Sequence, residues 1–196
     1  EIVWSDVPER LSAIMPSGPI MAYLLLPALA CGGVEWLAHL TQLAILCVGI
    51  VATVRLARRL RYTATQAMVS GLLLAASPAV LGMAATAMPD VPAMALGVLG
   101  IERYLAFVDE RRLHQGLFSA LFLAAAALSR SHAGLLLGVA ALFAGGSAMF
   151  RVGAGERIDR AERRRLLLRL WPIAAALVLC AAVLQLTRDP LRGTGV

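Results

Sequence analysis

From Glu35 to Thr187 the chain reads as apolar runs separated by short polar breaks. The runs are Glu35–Leu56, Gln66–Thr86, Pro92–Val108, Leu113–Leu128, Ala133–Phe150 and Leu166–Thr187. Each is near the roughly 20 residues that a helix needs to cross a hydrocarbon core. A shorter run, Pro19–Ala30, reads as a re-entrant or interfacial helix. Before it, Trp4, Val7, Leu11 and Ile14 recur at helical spacing, and Asp6-Val7-Pro8-Glu9 reads as a cap with proline in the first turn and an acid three residues on. That pattern predicts a short amphipathic helix on the membrane surface. The expected architecture is an all-α, polytopic transmembrane helix bundle with about six spans over residues 35–187. An outer-side amphipathic and re-entrant segment is expected over 1–34 and an outer-side tail over 188–196.

Composition agrees with this pattern. The chain is 60% hydrophobic, and its mean hydropathy of +0.78 lies far above that of a soluble domain. With 196 residues there is no room for a second, soluble domain. The chain begins at Glu1 and stops after Arg192-Gly193-Thr194-Gly195-Val196, so a fragment of a longer protein is expected, and no signal peptide is visible. The net charge of +6 raises the question of nucleic acid. The arginines cluster in loops between apolar runs, which points to a bilayer as partner and not to nucleic acid. All 18 basic residues are arginine, a bias that, with the abundant Ala, Leu, Gly and Val, suggests a GC-rich bacterial source. Cys31, Cys47 and Cys180 are scattered and lack CxxC spacing, so they read as buried small hydrophobes.

The arginines also give an orientation. Arg55, Arg58, Arg59 and Arg61 follow the first full span, and Arg103, Arg111 and Arg112 follow the third. Arg151, Arg157, Arg160, Arg163, Arg164, Arg165 and Arg169 surround the connection before the last. These alternate connections hold 14 of the 18 arginines and are assigned to the cytoplasm. The expected location is a bacterial inner membrane, with Met88–Val91 and Ser129–His132 facing the periplasm. The alternating charges of Arg157–Arg169 read as an anchor for the last helix among headgroups.

Chemistry is therefore sought on the outer side. Asp90, in Ala87-Met88-Pro89-Asp90-Val91-Pro92, is a carboxylate at the edge of an apolar span, where it is costly and a functional candidate. Its other reading is a cap on the helix that starts with Val91 and Pro92. As a functional group it would bind a metal-phosphate, orient a sugar hydroxyl or act as a base. Arg130, in Ser129-Arg130-Ser131-His132, is one of four outer-side cations with Arg10, Arg188 and Arg192. It reads either as a guanidinium gripping phosphate or as an arginine snorkelling to headgroups. His132 is a candidate metal ligand or a polar interfacial residue. Asp6 and Glu9 read first as helix caps and second as weak catalytic candidates. No phosphate-loop pattern, HExxH spacing or Ser/His/Asp order is present.

The order of short motifs resembles the N-terminal membrane half of C-type glycosyltransferases. The motifs are Pro16-Ser17-Gly18-Pro19-Ile20-Met21-Ala22-Tyr23, a span ending Arg55-Leu56-Ala57-Arg58-Arg59-Leu60, another ending Ser77-Pro78, then Met88-Pro89-Asp90-Val91-Pro92 and Ala127-Leu128-Ser129-Arg130-Ser131-His132-Ala133-Gly134. The groups it looks most like are bacterial relatives of protein mannosyltransferases and of lipid A aminoarabinose transferase. The resemblance covers most of Pro16–Phe150. It implies a polyprenyl-phosphate sugar as donor, no covalently bound cofactor, a possible divalent cation, and a glycan, lipid or protein acceptor on the outer face. The family's loop aspartate falls on Asp90. Its Leu-Thr-Lys lysine falls on Arg130, which keeps the charge with a different geometry. The position before the proline run, often Lys or His, is Gly18. The family's first-loop acid would lie upstream of this chain, with Asp6 or Glu9 as its only substitutes here.

The resulting expectation is a glycosyltransferase in which Arg130 holds the donor phosphate and Asp90 positions the acceptor or a cation. The alternatives are a transporter or permease subunit, which needs charges inside its spans, and a non-catalytic membrane assembly protein in which Asp90 and Arg130 only cap and anchor.

Overall fold

The computed structural model of the chain describes residues 19–32, 35–86, 88–135, 137–138, 140 and 160–188. Among them there is no strand. The helices are α1 (Pro19–Ala30), α2 (Glu35–Arg59), α3 (Ala64–Ala75), α4 (Pro78–Ala85), α5 (Asp90–Glu110), α6 (Leu113–Ser129) and α7 (Arg160–Arg188), with a 3-10 turn at Ser131–Gly134. The expected amphipathic helix over Glu1–Met15 and most of the run Ala133–Phe150 lie outside the described residues.

Local chemistry sets the boundaries. Arg61 takes a left-handed φ of 70° as α2 ends. Thr63 then opens α3 with a capping box: its hydroxyl accepts from the Gln66 backbone N–H at 3.3 Å, and Gln66 Oε1 accepts from the Thr63 N–H at 3.0 Å. The expected single span Gln66–Thr86 is instead two helices bent by 51°. Pro78 has no N–H to continue α3, and it holds Ser77 in extended backbone at ψ 117°. Arg111, left-handed at φ 55°, closes α5 and turns the chain directly into α6.

Among the described residues, α2, α5 and Leu167–Gln185 of α7 are long and apolar enough to cross a membrane, and α3 with α4 forms one broken span. The α6 helix is apolar but has only 17 residues, about 25 Å at 1.5 Å each. Contacts fix their directions. Helices α5 and α6 are an antiparallel hairpin, α2 runs parallel to α5, and α7 runs parallel to α6, with Trp171 against Gly116 and the Cys180 thiol donating to the Ala124 carbonyl at 3.6 Å.

Small residues let these helices approach closely, as lipid-embedded packing requires. A Cβ on Gly100 would lie 2.8 Å from Leu123 Cγ, and one on Gly49 would lie 3.0 Å from the Ala95 Cβ. Ser119 adds a buried hydrogen bond to the Gly100 carbonyl at 3.0 Å. One apolar cluster joins α5, α6 and α7 through Tyr104, Leu123, Ile173 and Ala176. A second joins α2, α4 and α5 through Leu46, Val80, Ala84 and Val91. Cys31 and Cys47 are exposed and Cys180 half-buried, contrary to the expectation of buried thiols. The outward face of a helix in lipid is itself apolar, so hydrophobic surroundings in sequence do not mean burial in protein.

Candidate functional site

The loop between α4 and α5 delivers a carboxylate, and the end of α6 delivers a guanidinium to meet it. Asp90 is the first residue of α5, and Pro89 is the capping residue. The cap reading of Asp90 is thereby corrected: no side-chain hydrogen bond caps α5, although an acid in the first turn still suits the positive end of the helix dipole. The reason is position. Pro89 takes the place outside the helix that a capping side chain needs. Arg130 follows the last residue of α6 in extended backbone, with φ −152° and ψ 133°. Its Nη1 donates to Asp90 Oδ2, closing an ion pair between positions forty apart. The side chains remain 34% and 24% exposed, so a ligand can reach the pair. The single contact to Oδ2 leaves Asp90 Oδ1 and most of the guanidinium fork without another partner among the described residues.

A residue that sequence reading passed over holds this loop in place. Gln42, in α2, is 1% exposed. Its Nε2 donates to the Met88 carbonyl at 3.0 Å, two residues before Asp90, and also touches Met21 Sδ of α1 at 3.8 Å. Its Oε1 is buried and has no hydrogen-bond partner among the described residues. The available signal was a lone amide inside the apolar run Glu35–Leu56.

The opposite end of the bundle carries a second set of charges, also missed. Glu102 lies inside the run Pro92–Val108 and is 1% exposed. Arg59 Nε donates to its Oε1 at 2.8 Å, and Arg103 Nε pairs with its Oε2 at 3.0 Å without the angle of a hydrogen bond. Arg59 also reaches Glu110 at 3.2 Å, and Arg103 donates to Gln115 at 3.0 Å. The span is thus less free of charge than its apolar composition implies. Both carboxylate oxygens are occupied by arginines near one end, which is not the open central path a transporter needs. Asp90 and Glu102 are about 18 Å apart along α5 at 1.5 Å per residue, so the two charged clusters are separate.

The other candidates are not brought to the pair by anything described. Asp6 and Glu9 lie outside the described residues. His132 sits in the 3-10 turn beside Arg130, and its side chain lies outside the description. Among the described residues no group of three or more His, Cys, Asp and Glu side chains converges.

The family model described as dolichyl-phosphate-mannose-protein mannosyltransferase matches residues 16–187. The chain belongs to that family. No curated protein and no solved structure matches it. Membership, with the apolar helices, supports a multi-pass membrane glycosyltransferase and upholds the resemblance drawn from its motifs. The stretch matched to the mannosyltransferase family contains Gln42, Asp90 and Arg130 and begins after Asp6 and Glu9.

Proposed function

We propose that this chain forms the outer-side transfer site of an enzyme that moves a sugar from a polyprenyl-phosphate donor to a glycan, lipid or protein acceptor. The observation that carries this reading is the Asp90–Arg130 pair, assembled from two distant loops at the end of the bundle away from the Arg59 and Glu102 charges. In such a transfer the donor brings a phosphate leaving group, so the protein must hold an anion and orient a nucleophilic hydroxyl. Arg130 supplies the first function with the nitrogens that Asp90 does not use. Asp90 supplies the second, accepting a hydrogen bond from the acceptor hydroxyl on its free oxygen. The arginine asymmetry supports a periplasmic face for this site and a bacterial inner membrane for the protein.

Donor titration on the full-length enzyme tests the assignment. Arg130→Gln is expected to weaken donor binding by about tenfold to a hundredfold, the scale of a charge-assisted contact to phosphate, and Arg130→Lys to retain part of it. Asp90→Asn is expected to express normally and to lose most sugar transfer. An unchanged donor Michaelis constant and turnover in Arg130→Gln would return that residue to membrane anchoring. Cysteine labelling at positions 59 and 90 tests the face: labelling from the same side would overturn the orientation.

A further inference from the structure

A cleft opens between α5, α6 and α7 at the end of the bundle that carries Arg59. Its volume is about 290 Å³, and its lining includes Phe107, Arg111, Leu113, Leu168, Arg169 and Trp171. Phe107 lies about 25 Å along α5 from Asp90 at 1.5 Å per residue, so the cleft is no part of the transfer site.

Three features say what fits. First, the cleft holds two guanidiniums, Arg111 and Arg169. The carboxylates nearest in sequence to Arg111, Asp109 and Glu110, are engaged with Arg59 and Arg112. Neither Arg111 nor Arg169 has a carboxylate partner among the described residues. Second, Arg169 Nε is buried and has no hydrogen-bond partner among the described residues. A buried donor of this kind is rare in a finished structure and asks for an acceptor. Third, the cleft lies where α7 turns apolar. The apolar stretch of α7 begins at Leu167, and Arg169 follows within one turn. Trp171 stands edge-on to Phe107 with ring centres 5.6 Å apart, giving the cleft an aromatic wall of the kind that lines the membrane–water boundary.

We propose that this cleft binds the phosphate of an anionic glycerophospholipid. Arg111 and Arg169 hold the headgroup oxygens, and the aromatic wall with Leu113 and Leu168 takes the upper part of the acyl chains. The left-handed backbone of Arg111 matters here, because it ends α5 in one residue and leaves that guanidinium at the rim instead of extending it away along the helix. The site differs from general attraction between basic loops and an acidic bilayer. It is a fixed cavity with a defined donor and an apolar wall, so it selects one lipid molecule.

The test uses the full-length protein, purified in a mild detergent, stripped of lipid and examined by native mass spectrometry. Dioleoyl phosphatidylglycerol, dioleoyl phosphatidylcholine and inorganic phosphate are the probes. One phosphatidylglycerol is expected to remain bound, with phosphatidylcholine at least about tenfold weaker, on the scale of lost charge-assisted contacts. Arg169→Gln and Arg111→Gln should each weaken phosphatidylglycerol binding by about tenfold, and Arg169→Lys by less. Arg55→Gln, an exposed arginine of α2 away from the cleft, should leave it unchanged. Arg111 lies on an exposed turn, so its variant keeps the test informative if Arg169→Gln does not fold. Equal retention in wild type and both glutamine variants overturns the proposal. So does displacement of the lipid by inorganic phosphate at comparable concentration, which would make the cleft a site for free anions.

Discussion

Gln42 donates its side-chain amide to the Met88 carbonyl at 3.0 Å, across forty-six positions of sequence. Through this bond α2 holds the loop from which Asp90 emerges. Gln42→Leu keeps the volume but leaves the Met88 carbonyl without its donor. Because a displacement near 1 Å at a reacting centre can cost on the order of a hundredfold, turnover is expected to fall by about tenfold or more while the donor Michaelis constant changes little. A purely structural role would lower the melting temperature and leave turnover intact in the folded fraction.

The Asp90–Arg130 pair is partly exposed, and water screens it. A double-mutant cycle on unfolding, using Asp90→Asn and Arg130→Gln, should therefore give a coupling of no more than about 1 kcal/mol. The same variants should lose most of their activity. A coupling several times larger, with activity falling only in step with stability, would make the pair a brace for the α5–α6 hairpin and not a site.

At the other end the expectation reverses. Glu102 is buried, so removing Arg59 leaves an ion largely uncompensated inside the bundle. Arg59→Ala should cost about 3 kcal/mol, the lower part of the range for breaking a buried pair, since Arg103 still reaches the second oxygen. Reversible unfolding in detergent measures it. A loss below about 1 kcal/mol would show that Arg103 alone suffices, against the usual cost of an unpaired buried charge.

Gly100 faces Leu123 so closely that any side chain there must displace Leu123 or part α5 from α6. Gly100→Ala should cost about 1–3 kcal/mol by overpacking, and Leu123→Ala in the same chain should recover part of it. If the double variant is no better than the sum of the single ones, the contact is not what limits the approach of the two helices.

Most of the helical plan was legible because lipid-spanning segments must be long and apolar, and the chain writes them that way. The runs beginning at Glu35, Pro92 and Leu113 each became a helix within a few residues of the expected bounds, and the run beginning at Leu166 became a helix that starts earlier, at Arg160. The bend at Ser77-Pro78 was not read, although proline carries the signal for it. The sequence placed Asp90 and Arg130 on one side of the bundle but could not show that they touch, since that depends on α5 and α6 closing as a hairpin. Gln42 and Glu102 were missed for one shared reason. Hydropathy averaged over a window hides a single polar residue, and such a residue inside an apolar run has to be held by another chain segment.

The charges on α5 differ in strength as well as in place. Glu102 is buried and held by Arg59 of α2, so it fixes the height of the helix in the bundle. The Asp90 pair at the other end is open enough to water to part for a ligand while the helix stays where Glu102 holds it. One end of the rod is moored and the other is free to respond, so the site can rearrange without the bundle sliding.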